Sequence, residues 1–147
     1  MAAGHARHAM GMGEDVIVAG VGCRRGAATA DVQAAIRAAL AHCGVPTDAL
    51  AAIATSVAKS TEAGIAGAAS ELGVPLLPVP QRELEDAASG TRTRSERVLA
   101  LVGVPSLAET AALAAAGPTA RLLVSRIAIG SVTCALAESR DVPGERP

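Results

Sequence analysis

A glycine- and arginine-rich turn, Gly20-Val21-Gly22-Cys23-Arg24-Arg25-Gly26, follows the first apolar run of the chain. Glycine amides, two guanidiniums and the N-terminus of the helix expected next make an anion cradle. Guanidiniums match carboxylates in a bidentate way, so the chemistry this turn suits is the binding of a polycarboxylate. The competing reading is a helix-packing turn that carries two solvated arginines. A dinucleotide fingerprint is not met. Arg25 stands where the third glycine belongs, and the second apolar run ends in Thr55-Ser56 rather than an acidic residue. A Walker A loop is excluded because no Gly-Lys-Ser/Thr follows.

Ala58-Lys59-Ser60-Thr61-Glu62 occupies the equivalent turn after the second strand. Lys59 is the only lysine of the chain. A cation there opposes the helix dipole by ~0.3–1 kcal/mol, which favours a ligand or a local carboxylate partner. Ser60 and Glu62 suit a helix N-terminus through capping and dipole terms. Ser106 and Glu109 have capping-box spacing, which accounts for both and still lets them border a pocket. Thr133 lies in a late strand whose alternation leaves its face open. Cys23 is either a thiol activated by a helix N-terminus and arginines or a small residue filling a turn. Arg92 and Arg94 sit in Ser89–Ser95, which has no apolar side chain and reads as an exposed mobile loop. Glu62 and Glu109 are the carboxylates available for acid–base work. The only histidine beyond the N-terminal segment, His42, falls near the far end of the first helix, so a Ser–His or Cys–His pair is not supported.

These residues must be positioned by a chain of 147 residues, 50% hydrophobic, 18% charged and without a single aromatic. That length and hydropathy fit one domain and exclude global disorder. With 13 basic and 14 acidic residues the net charge is −1, which is no footprint for a nucleic-acid binder. The lack of aromatics excludes base-stacking platforms and aromatic cages. Cys23, Cys43 and Cys134 form no CxxC, so neither a disulfide framework nor a zinc site is expected, and a reducing cytoplasm suits them. His5 and His8 belong to a segment, residues 1–13, that reads as a flexible tail without a signal peptide; no metal and no cofactor are expected. No uncharged run reaches the ~18 residues of a membrane span.

The expected elements are a strand at 16–21, a helix from about Thr29 to Cys43 and a strand at 50–55. A helix capped by Ser60 and running to Leu72, and a short Pro-bearing strand at 76–79, complete the first half. After a polar stretch at 81–97, capping boxes open one helix at Thr93 that ends at Val102 and another at Ser106 that ends at Gly117. Strands at 121–126 and 132–137 then join around Gly130. This order predicts a single-domain α/β layered sandwich at 14–138. Its sheet is mixed and mostly parallel, flanked by helices and closed by a β-hairpin, with a tail at 139–147.

Four blocks in order are Val18 to Gly26, Lys59 to Gly64, Gly103-Val104-Pro105-Ser106-Leu107-Ala108-Glu109-Thr110-Ala111-Ala112-Leu113, and Val132-Thr133-x-Ala135. Together they resemble the CobE/CbiG C-terminal domain family of cobalamin (vitamin B12) biosynthesis. The resemblance implies a precorrin ligand, a macrocycle that carries acetate and propionate carboxylates. On that basis Arg24, Arg25, Lys59, Arg92 and Arg94 are expected to hold it, with Gly22, Cys23, Ser60, Ser106 and Thr133 beside them. The longer relative of the anaerobic route opens the ring-A lactone of cobalt-precorrin-5A and releases acetaldehyde, a role that Glu109 or Glu62 would serve. This chain resembles only the C-terminal part, as the stand-alone CobE type does. A third implied role is a non-catalytic partner that delivers intermediates to precorrin methyltransferases. Ile127-Ala128-Ile129, read as the hairpin turn, is apolar where the family more often has polar residues.

Overall fold

Apolar runs of strand length and helices with 3–4 spacing assemble here into three layers. The computed structural model describes residues 15–89 and 106–140. The tail expected at 1–13, the residues Arg92 and Arg94, the helix expected to open at Thr93 and the segment 141–147 lie outside the described residues. The strands are β1 (Asp15–Cys23), β2 (Leu50–Ser56), β3 (Leu76–Val79), β4 (Arg121–Ile129) and β5 (Val132–Arg140). The helices are α1 (Thr29–His42), α2 (Ala63–Leu72), α3 (Gln81–Ser89) and α4 (Leu107–Ala116).

The sheet has the order β3-β2-β1-β5-β4. β1, β2 and β3 pair in parallel, and β5 runs antiparallel to both of its neighbours, β1 and β4. Four strands therefore point the same way, and β4–β5 is the closing hairpin. The Pro-bearing β3 lies at a sheet edge, where a residue without an N–H costs no ladder bond.

α1 and α2 cover one face. Val32, Ala35, Ile36, Ala39 and Leu40 repeat at helical spacing and are all buried, against Val21, Leu50, Ile53, Ile65 and Leu136. Each such large aliphatic side chain contributes ~1.5–3 kcal/mol of burial, which is how a core without aromatics is held. α3 and α4 cover the other face, where Val18, Ala54, Val79, Leu84 and Ala111 pack together.

α4 lies very close to β1. A Cβ on Gly20 would come 2.0 Å from the Ala108 carbonyl oxygen and 2.7 Å from the Ala112 nitrogen. Gly64 has the same role for α2, where a Cβ would meet the Ala27 carbonyl oxygen at 2.1 Å.

Several boundaries differ from the sequence expectation. β1 continues through Cys23, so Gly22 and Cys23 belong to a strand, not a turn, because β5 supplies Thr133 and Val132 as partners for them. Ser60 does not cap α2; it sits in a 3-10 turn, Ala58–Thr61, and its hydroxyl donates to the Val57 carbonyl at 2.7 Å. Ile127-Ala128-Ile129 is strand, and the hairpin turns at Gly130 (φ 59°) and Ser131. Ile127 and Ile129 pack on the α1 core, which explains their apolar character. α3 was not expected, although Pro80 before it, Glu83 in its first turn and a buried Leu84 are its sequence signals.

Replacing Gly20 with Ala should destabilise the fold by about 3 kcal/mol, near the top of the range for overpacking, since backbone must move. Urea unfolding checks this, and a wild-type midpoint would show that α4 can retreat freely.

Candidate functional site

The carboxyl ends of β1 to β4 form one edge of the sheet, and the N-termini of α1, α2 and α4 meet it. Ligands of open α/β sheets bind at such an edge.

On the α1–α2 side, the chain leaves β1 at Cys23 and turns through Arg24 to Ala28. The Arg24 N–H donates to the Ser131 carbonyl at 3.2 Å, and the Ala27 N–H donates to the Arg24 carbonyl at 3.2 Å. Gly26 takes φ 82°, a left-handed conformation that suits glycine. Its N–H donates to Glu62 Oε1 at 2.9 Å. The first loop is thereby tied to the second. There the Ser56 hydroxyl accepts the Lys59 N–H at 3.1 Å, and the Glu62 N–H donates to the Lys59 carbonyl at 2.9 Å. At the root of these loops, the buried Thr55 hydroxyl donates to the Val21 carbonyl at 2.7 Å and pins β2 to β1.

Arg24 and Arg25 are exposed and Lys59 is half-buried. None of the three makes an ion pair among the described residues. Burial pushes the Cys23 thiol above its ordinary value, the Lys59 ammonium pulls it back and the Glu62 carboxylate adds a smaller push. Lys59 and Glu62 thus both act on Cys23, and the structure brings Cys23, Arg24, Arg25, Lys59 and Glu62 together.

On the α4 side stands a second group. Gly22 pairs with Thr133, whose hydroxyl donates to the Gly22 carbonyl at 3.3 Å. A Cβ on Gly22 would lie 3.0 Å from that hydroxyl and 3.7 Å from the Leu107 side chain, so Thr133 and the start of α4 share one face with it. Ser106 and Glu109 complete the predicted capping box. The Glu109 N–H donates to the Ser106 hydroxyl at 3.2 Å, and the Ser106 N–H donates to Glu109 Oε1 at 2.8 Å. The second oxygen, Oε2, accepts the Arg126 N–H at 3.1 Å.

Glu109 is 5% exposed with both oxygens occupied by backbone N–H groups, which does not suit the general base considered for it: taking a proton would give up a bond of the helix cap or the strand. Its geometry is that of a brace between α4 and β4. The expected site residues therefore fall on two faces of the sheet rather than in one ring. Arg126, whose backbone joins the second group, was not among them; nothing local in its sequence marks it, because a distant carboxylate defines its place.

The sequence model of the family described as Cobalamin synthesis G C-terminus matches residues 17–137. The chain belongs to this family. The cobalamin-synthesis chain is 35% identical over 130 residues to Protein CobE of a Sinorhizobium species, covering 88% of itself and 84% of that protein. Its fold matches the crystal structure of cobalamin biosynthesis protein chiG from Agrobacterium tumefaciens str. C58 with a TM-score of 0.75 at 46% identity, over 84% of this chain and 98% of that one. It also matches CobE, a protein from the cobalamin (vitamin B12) biosynthetic pathway, with a TM-score of 0.70 at 28% identity, over 84% and 90% of the two chains. No helix among the described residues is long and apolar enough to cross a membrane.

The half-buried Cys23 and the buried Cys134 each give a measurable behaviour. The thiolate is the nucleophile, so native Cys23 should alkylate more slowly than the same cysteine in urea at pH 8, and more slowly still in Lys59→Ala. Peptide-resolved iodoacetamide labelling reads this, and equal native and unfolded rates would contradict it. Burial pushes the Cys134 thiol from 9.0 up to about 12. The folded pKa is raised, so this contribution to stability is whole below pH 9 and is lost as pH rises from 9 through 12. The urea midpoint should fall across that window, and Cys134→Ala should flatten part of the fall.

Proposed function

We propose that this member of the cobalamin-synthesis family binds a precorrin-type tetrapyrrole by its carboxylates at the carboxyl edge of the sheet. The observation that carries the reading is the group Arg24, Arg25 and Lys59. Three cations, unpaired among the described residues, gather at the ends of β1 and β2, beside the N-termini of α1 and α2. They do so in a chain whose net charge is −1, so the cations are concentrated locally rather than in excess overall.

Guanidiniums and helix N-termini both favour carboxylate oxygens. With no aromatic side chain to lie on the macrocycle, the grip falls to the carboxylate rim and to aliphatic contacts. Membership of a cobalamin-synthesis family supports a tetrapyrrole as the bearer of those carboxylates. The proposed setting is the cytoplasm, whose reducing chemistry suits cysteines that remain free. Lactone opening would need a carboxylate free to accept a proton. Glu109 has both oxygens engaged, and the bond from Gly26 holds only Oε1 of Glu62. Three cations unpaired among the described residues serve a carboxylate ligand more directly, so binding is the reading that the geometry supports best.

A bound tetrapyrrole is read directly by its visible absorbance. Titration with uroporphyrin, a stable polycarboxylate tetrapyrrole, should shift that absorbance at micromolar protein. The methyl ester of the same pigment should bind far more weakly. Replacing Arg24 and Arg25 together with Ala should weaken binding at least about tenfold, since a charge-assisted hydrogen bond is worth ~1.5–3 kcal/mol. No spectral shift with wild-type protein would overturn the proposal.

A further inference from the structure

The ladder between β4 and β5 shifts register twice, between Leu122 and Val124 and between Val124 and Ile127, and the second shift lies beside the start of α4. Ile127 stands opposite Cys134 and Val124 opposite Leu136, which leaves Ser125 and Arg126 together facing Ala135. Two residues against one is a β-bulge. It frees an N–H from the ladder and re-aims the side chains around it, and such bulges are common next to binding sites. The freed N–H is that of Arg126, and Glu109 Oε2 takes it at 3.1 Å.

Pairing fixes where this happens. Ala135 stands opposite Gly20 of β1, and Gly20 is the residue against which Ala108 of α4 is pressed. The bulge therefore lies level with the first turn of α4. On the same face, one step nearer the carboxyl edge, come Ala128, Thr133 and Gly22. Arg126 is exposed and makes no ion pair among the described residues. Arg121 of the same strand differs, since its guanidinium is taken by Glu138 at 3.1 Å.

Burying a carboxylate is costly unless its bonds are all made. Glu109 meets that condition by joining the bulge to the helix cap, so the N–H freed by the irregularity has a partner built for it. A bulge braced in this way is a positioned feature of the strand rather than a local defect.

We propose that Arg126 is a further carboxylate-holding residue, on the α4 side of the edge, and that Glu109 is its positioning residue. This rests on the reading of the edge as a polycarboxylate site and adds a statement about ligand class. The ligand carries carboxylates on more than one side: Arg24, Arg25 and Lys59 meet it from the α1–α2 face, and Arg126 meets it from the α4 face. A ligand with carboxylates along one side only loses one of the two grips.

Uroporphyrin titrations of wild type, Arg24→Ala/Arg25→Ala, Arg126→Ala, Arg126→Lys, Glu109→Gln and the Glu109→Gln/Arg126→Ala pair test this, each with a urea unfolding curve. Arg126→Ala should weaken binding at least about tenfold with an unchanged unfolding midpoint, and Arg126→Lys should recover part of the loss. Glu109→Gln should lower both affinity and midpoint. In the Arg126→Ala background it should lower the midpoint only, because a positioning residue has nothing left to position. Wild-type affinity in Arg126→Ala, with Arg24→Ala/Arg25→Ala still weak, would overturn this inference and leave the first reading standing. A Glu109→Gln loss of affinity that persists in the Arg126→Ala background would overturn the positioning role. Failure of wild type to bind uroporphyrin would overturn both readings together.

Discussion

The near-contact between α4 and β1 at Gly20 governs the α4 side of this structure. Helix backbone reaches strand backbone there because no Cβ intervenes: one on Gly20 would sit 2.0 Å from the Ala108 carbonyl. Ala108, Ala111 and Ala112 extend the same economy of size along the helix. A core without aromatic rings has no large side chain to span wide gaps, so density must come from close approach of the layers. The approach has a consequence for chemistry. It sets the first turn of α4 directly over β1 and β5, within reach of β4, so that the side chain of Glu109 can meet a backbone N–H across the sheet.

Two glutamates then connect elements that the chain itself leaves separate. Glu62 ties the second crossover turn to Gly26 of the first, and Glu109 ties the cap of α4 to the bulge of β4. Both are carboxylates at sites expected to receive an anionic ligand, which looks contradictory until their bonds are counted. Backbone N–H donors meet both oxygens of Glu109 and Oε1 of Glu62, while the guanidiniums of Arg24, Arg25 and Arg126 and the Lys59 ammonium have no carboxylate partner among the described residues. For the proposed carboxylate ligand, such an arrangement of cations unpaired among the described residues on loops held by backbone bonds would need little rearrangement. The opposite end of the sheet differs: Arg121 and Glu138 satisfy each other there.

Much of the architecture was legible because local patterns and tertiary demands agree. The apolar run of β1, the 3–4 spacing of Val32, Ile36 and Leu40, and the Ser106–Glu109 box each name their element without outside help. Where they failed, a partner strand or a packing surface decided. Gly22 and Cys23 read as turn from composition, but β5 extends the ladder over them. Ile127 and Ile129 read as an apolar turn, but the α1 core claims them as strand. α3 was missed since its polar composition outweighed the weak stripe containing Leu84.

The sequence by itself determined the α/β class, the succession of the five strands with α1, α2 and α4, and the identity of the cationic turn with Lys59 at the next one. These follow from periodicity and turn chemistry, which act over a few residues. Only the tertiary structure decided that the candidate residues divide between two faces of the sheet, that Glu109 serves as a brace, and that Arg126 belongs with them. Those facts depend on strand register and on a bulge of one residue. A shift of one residue moves a side chain to the opposite face, and no local pattern in β4 or β5 records which register the other layers will impose.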